Sequence, residues 1–127
     1  MQVNLFFGDD PSAFGHIVIQ PRNNADDISQ LEKNVWLILS EWIPKVSKAM
    51  KEALKEVSGK EIEKIYLCSF NESEKYPVHF HLIPRYKHET LKGPDLLHRR
   101  TEAKLAISLQ DRDEIVNAMK RELGVSV

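Results

Sequence analysis

The feature that most constrains this fold is an apolar period of three to four residues that runs through residues 28–57. This spacing is that of an amphipathic helix, which must bury one of its faces. Asp27 followed by Gln30 predicts a capping box at the start of the helix, and Gly59 predicts its end. Pro44 predicts a kink or a division, because proline has no N–H and clashes with the preceding turn.

Short β-rich segments lie on both sides of this helix. Val3–Phe7 and residues 16–19 are separated by turn-forming residues, which predicts a strand, a turn and a strand. Residues 63–70 and 78–83 predict two more strands, the second antiparallel to the first and ended by Pro84.

The C-terminal region carries one further helical signal. Asp111 with Glu114 predicts the start of a helix, and Gly124 predicts its end. Residues 86–100 read as a loop that contains a helical turn. The expected fold is α+β, an antiparallel sheet packed with one long helix and a C-terminal helix, in a single domain over residues 1–127.

Composition and charge exclude several classes of function. Hydrophobic residues make up 42% and charged residues 29%, the composition of a soluble globular protein. The net charge of -1 offers no broad cationic field, so we expect no nucleic-acid partner. The apolar runs are too short to cross a membrane, and the single cysteine, Cys68, can form no internal disulfide. We therefore expect a cytoplasmic protein.

The residues that carry chemistry lie in the predicted strand that begins at Val78. Side chains alternate along a strand, so His79 and His81 share one face while Val78, Phe80 and Leu82 share the other. Burial of the apolar face against the long helix would set the register and direct both histidines away from the core. A neutral imidazole nitrogen is a nucleophile, which makes attack on phosphorus feasible.

Two same-face histidines also fit a metal half-site or an ordinary solvated face. A zinc site built from His79, His81 and His88 lacks a carboxylate or thiolate partner in the pattern, so we expect no metal and no cofactor. His88 and His98 stand outside any motif and are expected at the surface.

Two sequence motifs favour a functional site over an ordinary solvated face for His79 and His81. The segment HFHLIPR (residues 79–85) resembles the second half of the histidine triad signature, and GHIVIQP (residues 15–21) is similar to the Gly-His strand of the same family. The long helix lies between the two motifs, as it does in that family. The resemblance extends from Phe6 to Arg85 and is looser in the C-terminal part.

The resemblance implies a homodimer built on an antiparallel sheet that binds a purine nucleotide and acts at its α-phosphate. By position, His79 corresponds to the nucleophile, His81 to a phosphate contact and His16 to a further histidine of the site. The resemblance further implies three binding contacts, one on the base from Phe6 and two on the phosphate or leaving group from Asn71 and Ser73.

One departure from the motif divides the functional hypotheses. Pro77 stands where the family has its first histidine, and proline can neither donate a hydrogen bond nor transfer a proton. The sequence therefore leaves two hypotheses open. The first is a hydrolase or transferase for dinucleoside polyphosphates or phosphoramidates, with a nucleotidyl-histidine intermediate on His79. The alternative is a nucleotide-binding or protein-interaction module that retains the fold and has weak catalysis.

Overall fold

A computed structural model describes residues 2–8, 12–72, 76–98 and 107–125. The strands within these residues are β1 (Val3–Phe7), β2 (Ile17–Pro21), β3 (Ile62–Cys68) and β4 (Phe80–Tyr86). The α-helices within them are α1 (Lys33–Ser58), α2 (Pro94–His98) and α3 (Leu109–Leu123). The strands form one antiparallel sheet in the order β1-β2-β4-β3, which confirms the predicted α+β class.

The register of the sheet aligns residues that are far apart in sequence. Phe6 of β1 is opposite Val18 of β2, and Val18 is opposite His81 of β4. His81 is in turn opposite Cys68 of β3. One row across the sheet therefore brings together the aromatic side chain of Phe6 in β1 and the histidine of β4.

The core lies between one face of the sheet and the helices α1 and α3. Apolar side chains from all three layers are buried there, including Ile19, Leu82, Leu39, Met50, Leu54 and Ile115. A smaller cluster of Ala13, Ile83 and Leu96 places α2 against the other face. The long helix thus covers one face of the sheet, and part of the opposite face remains open.

The start of the long helix differs from the prediction. Asp27 caps only a 3-10 turn over Ile28–Gln30, where its carboxylate accepts a hydrogen bond from the Ser29 N–H. The Gln30 carboxamide accepts from the Asp26 N–H, so the expected capping box does not form. The chain is extended at Leu31, and α1 begins only at Lys33. The apolar period continues across this break because Leu31 is still buried.

Pro44 and Pro84 both lie inside elements that continue past them. Pro44 lies inside α1 without dividing it; it is exposed, so water can solvate the carbonyl that its missing N–H leaves without a partner. Pro84 does not end β4, which continues to Tyr86. The pairing of β4 with β2 extends only to Leu82, so Pro84 has a strand neighbour on one side, the edge-like position where proline is tolerated.

The helix ends follow the predicted signals more closely. Gly59 ends α1 with a φ of 72°, and Gly124 ends α3 with a φ of 69°, a left-handed conformation that glycine adopts without cost. The N-cap of α3 is Ser108, whose hydroxyl accepts from the Asp111 N–H, rather than Asp111 itself. In the part of the chain that the structure describes, no helix carries an apolar stretch long enough to span a bilayer.

Candidate functional site

The histidines of the sheet are positioned by the apolar residues between them. Val78 and Leu82 are fully buried and Phe80 nearly so, all in the core beneath α1. His79, immediately before β4, and His81, within it, are half-buried on the opposite face. Burial of each apolar neighbour contributes about 1.5 to 3 kcal/mol, which holds this register against a slip that would invert the faces.

The open face of the sheet forms one wall of a cavity of about 370 Å³, within the range of small-ligand sites. Its lining is predominantly apolar and contains three histidines. The lining residues are Phe6, Gly8, Ser12, His16, Val18, Gln20, Phe70, Tyr76, His79, His81, Ile83 and Leu97.

His79 is held by two hydrogen bonds, one at its ring and one at its backbone carbonyl. Its Nδ1 lies 3.0 Å from the carbonyl oxygen of Pro77, an acceptor only, so in a neutral ring Nδ1 carries the proton. The Ser69 hydroxyl donates to the His79 carbonyl at 2.7 Å and fixes the backbone there. Nε2 of His79 therefore keeps its lone pair, the form that a nucleophile requires.

His16 and His81 have the opposite arrangement of protons. The Ser12 N–H donates to Nδ1 of His16 at 3.1 Å, which places the proton of a neutral His16 on Nε2. That Nε2 lies 2.9 Å from Nδ1 of His81 and donates to it, so the proton of a neutral His81 is on Nε2. The backbone thus sets the protons of adjacent rings differently, with His79 as an acceptor at Nε2 and His81 as a donor.

The turn before β2 holds His16 in place. Gly15 has a φ of +82°, and a Cβ there would lie 2.7 Å from Leu54 Cδ1 and 3.1 Å from the Tyr86 hydroxyl. That hydroxyl donates to the Phe14 carbonyl, and burial raises the pKa of Tyr86 far above its ordinary value. Glycine before the histidine is therefore required by conformation and by close packing.

The chemistry available in this cavity is that of imidazole. The rings of His79 and His81 are 5.2 Å apart between centroids, and those of His16 and His81 are 5.0 Å apart. The described lining contains no Lys or Arg, so an oxyanion bound there would be met by neutral donors such as the Nε2–H of His81. Across the described residues, no group of three or more His, Cys, Asp or Glu side chains is placed to hold a metal ion.

Comparison with known proteins identifies the fold. No model of a known family matches the chain, and no curated protein matches its sequence. Among solved structures, a histidine triad protein of Bradyrhizobium japonicum superposes with a TM-score of 0.72 at 18% identity, covering 96% of this chain and 84% of that one. The chain has the histidine triad fold.

Further solved structures agree with that assignment. A Hit-like protein of Bartonella henselae, described as involved in cell-cycle regulation and solved with an unknown ligand, matches with a TM-score of 0.62 at 21% identity, over 92% of this chain and 80% of that one. A hypothetical histidine triad nucleotide-binding protein of Sulfolobus tokodaii gives a TM-score of 0.62 at 12% identity, over 98% of this chain and 79% of that one.

On this histidine triad fold, most of the residues selected from the sequence converge. His79, His81, His16 and Phe6 all line the cavity. Asn71 is absent from the described lining; its carboxamide oxygen lies 3.4 Å from the Ser69 hydroxyl, which donates its proton to the His79 carbonyl.

Other predicted positions lie elsewhere. Ser73 falls outside the described residues. Pro77 is absent from the described lining and contributes its carbonyl to His79 instead. His88 and His98 are exposed, as predicted.

Sequence reasoning missed several residues of the cavity. Gln20 is the polar residue of an otherwise apolar strand, at an alternate position to Val18, and that pattern could have identified it. Ser12 and Leu97 carried no such signal, because they meet only through folding: the Ser12 hydroxyl donates to the Leu97 carbonyl at 3.0 Å.

Proposed function

We propose that this chain is a nucleotide hydrolase or transferase that acts at the α-phosphate of a purine nucleotide through a nucleotidyl-histidine intermediate on His79. The observation that carries the proposal is the hydrogen bond between Nδ1 of His79 and the Pro77 carbonyl. This bond leaves Nε2 as a nucleophile inside a cavity of nucleotide size. The substrate class is supported by the histidine triad fold and by the description of the Sulfolobus tokodaii protein as nucleotide-binding.

The proposed reaction has two steps. Nε2 of His79 attacks the α-phosphorus, forming an N–P bond as the bond to the leaving group breaks, and the ring becomes an imidazolium that still donates from Nδ1 to the Pro77 carbonyl. Water or another acceptor then attacks phosphorus and loses its proton to solvent as the N–P bond breaks, which releases the nucleotide and a neutral His79. Nε2–H of His81 would donate to the phosphate oxygens as their charge increases.

Loss of the first triad histidine bears on the leaving group rather than on the nucleophile. The alignment of His79 uses a main-chain carbonyl, which proline supplies as well as histidine does. Tyr76 lines the cavity next to Pro77, and its hydroxyl is a possible proton donor for the leaving group. A site with an intact nucleophile and a changed acid is expected to act best on substrates with good leaving groups.

The direct test is His79→Ala assayed with adenosine 5′-phosphoramidates and diadenosine polyphosphates. Activity should be abolished while affinity for adenosine monophosphate stays within about tenfold, because the change removes the attacking atom and few ground-state contacts. His88→Asn is the matched control, since it changes an exposed histidine outside the cavity and asparagine tolerates its φ of 69°.

The intermediate itself can be trapped. Mass spectrometry of quenched wild-type enzyme should show a nucleotidyl adduct on residue 79. A His79→Ala enzyme with normal turnover would refute the mechanism. Nucleotide binding without turnover by the wild type would favour the binding-module alternative.

We also propose that the protein is a cytoplasmic homodimer. α1 exposes Trp36 and Leu37, by 42% and 59%, and β3, an edge strand among the described strands, exposes Leu67. An apolar patch and a strand edge are surfaces that a second copy covers. Light scattering at micromolar concentration should give twice the chain mass of 14.7 kDa, and Leu37→Lys should lower it. A monomer mass for the wild type would contradict this.

A further inference from the structure

Ser12 connects two parts of the molecule that the reaction scheme does not otherwise relate. It is 2% exposed, and its hydroxyl donates to the carbonyl of Leu97 in α2. Its backbone N–H donates to Nδ1 of His16. This hydrogen bond ties residue 12 to α2. One buried residue thus contacts both α2 and His16, whose ring is bonded to that of His81.

The backbone of His16 is held without the Ser12 side chain. The His16 N–H donates to the Ala13 carbonyl at 3.1 Å, and the His16 carbonyl accepts from the Gly8 N–H at 3.0 Å. A Cβ at Gly8 would lie 3.2 Å from the His16 ring, so the ring is also confined on that side. The Ser12 hydroxyl, by its bond to α2, adds the placement of the Ser12 backbone N–H opposite Nδ1 of His16.

That placement determines where two protons lie. With the Ser12 N–H on Nδ1, His16 must donate from Nε2 to Nδ1 of His81, and His81 must carry its proton on Nε2. If residue 12 moves away, Nδ1 of His16 becomes able to carry the proton. Nε2 of His16 would then accept from Nδ1 of His81, and Nε2 of His81 would have a lone pair. The donor in the cavity would become an acceptor that repels an oxyanion.

We propose that Ser12 is a positioning residue, which anchors residue 12 to α2 and thereby maintains the proton of His81 on Nε2 through His16. The catalytic consequence rests on the proposed phosphate chemistry, whereas the protonation pattern does not depend on any substrate. Docking of α2 and the hydrogen-bonding character of the cavity are therefore coupled through one hydroxyl group.

The test is to read the histidine tautomers directly, by long-range ¹⁵N–¹H correlation spectra of protein labelled with ¹⁵N-histidine, at a pH where the rings are neutral. In the wild type, His16 and His81 should both carry the proton on Nε2, and His79 on Nδ1. In Ser12→Ala, His16 and His81 should become mixtures of tautomers. His79 should not change, because its partner is the Pro77 carbonyl, which makes it an internal control.

Ser69→Ala is the matched control. It removes another hydroxyl beside the site, one that donates to the His79 carbonyl, and it should leave the tautomers of His16 and His81 as they are. Ser12→Thr, which retains the donor, should restore the wild-type pattern. In turnover, kcat of Ser12→Ala should fall about tenfold, the scale on which supporting partners act, with little change in KM.

Two results would overturn the proposal. One is a wild-type His81 with its proton on Nδ1, which decides the matter even if Ser12→Ala does not fold. The other is a folded Ser12→Ala protein whose His16 and His81 tautomers match the wild type. A tautomer change in a protein without turnover would support the positioning role while the proposed enzyme activity fails.

Discussion

The two faces of residues 78–82, which lead into β4, show how one short segment serves stability and chemistry separately. On the face toward α1, Val78, Phe80 and Leu82 are buried in the core. On the other face, His79 and His81 line the cavity, each with a hydrogen bond that sets its protons. Because neighbouring side chains point in opposite directions, substitutions at adjacent positions should produce different kinds of loss.

The largest expected effect on stability is on the core face. Leu82→Ala should lower the free energy of unfolding by about 2 to 5 kcal/mol, because it removes a fully buried side chain and leaves a cavity. His79→Ala should cost about 1 kcal/mol, since it loses one hydrogen bond at the half-buried face. Urea denaturation of both variants measures the difference, and equal losses would contradict the separation of the faces.

The next effect concerns Pro77, whose side chain and carbonyl have separate roles. Pro77→His keeps the carbonyl that aligns His79 and adds a group able to protonate a leaving group. The rate on a substrate with a poor leaving group, such as an alkylamine phosphoramidate, should rise about a hundredfold. An activated substrate should gain little.

Tyr76→Phe provides the comparison for Pro77→His. If the wild type is already fast on the poor leaving group and Tyr76→Phe slows it, Tyr76 supplies the proton and the Pro77→His expectation is wrong.

In β1, side chains also alternate between the cavity and the core, and a smaller effect on nucleotide binding is expected there. Phe6 is 45% exposed and lines the cavity, while Phe7 packs against the core. Phe6→Ala should weaken nucleotide binding about tenfold, the loss expected for a base that no longer stacks. Phe7→Ala should lower stability and leave the affinity of the folded protein unchanged. Calorimetric titration measures both, and a loss of affinity confined to Phe7→Ala would reverse the assignment of faces.

The smallest effect lies at the far end of β3, away from the cavity. Glu61 accepts from Lys87 at 2.7 Å and Lys55 at 3.4 Å, and these lysines lower the pKa of its carboxyl. A carboxyl with a lowered pKa adds stability above its ordinary pKa, and that stability is lost as the pH falls through its folded-state value. Because these three side chains are exposed, Glu61→Gln should lower the free energy of unfolding only slightly at pH 7, and the difference from the wild type should disappear in acid. Urea denaturation of both proteins at several pH values measures this, and a difference in unfolding free energy that widens as the pH falls would contradict it.

Much of the fold could be predicted because the signals are local. Val3–Phe7 alternates as a strand should, and Gly59 and Gly124 supply the left-handed residues with which α1 and α3 end. The alternation from Val78 to Leu82 correctly separated the buried positions from the histidines. Each of these depends on a residue's own conformational preference or on its nearest neighbours along the chain.

The errors arose where tertiary contacts override a local preference. Pro84 was expected to end β4, yet a missing strand neighbour makes proline tolerable there, and the division of α1 that was one of the outcomes expected at Pro44 does not occur. Asp27 was expected to cap α1, but it caps a separate turn because the chain extends at Leu31 before the helix begins. Local propensity cannot report which side of a strand is paired or where a helix first meets its core.

The sequence by itself determined the α+β class and the two faces of the histidine strand, with His79 and His81 on the same side. Only the tertiary structure brought His16 to within 2.9 Å of His81, across 65 positions of sequence, and placed the Ser12 hydroxyl on α2. The reason is physical. A side chain's identity fixes which protons it can carry, whereas the protons it does carry depend on donors and acceptors that distant segments supply only after folding.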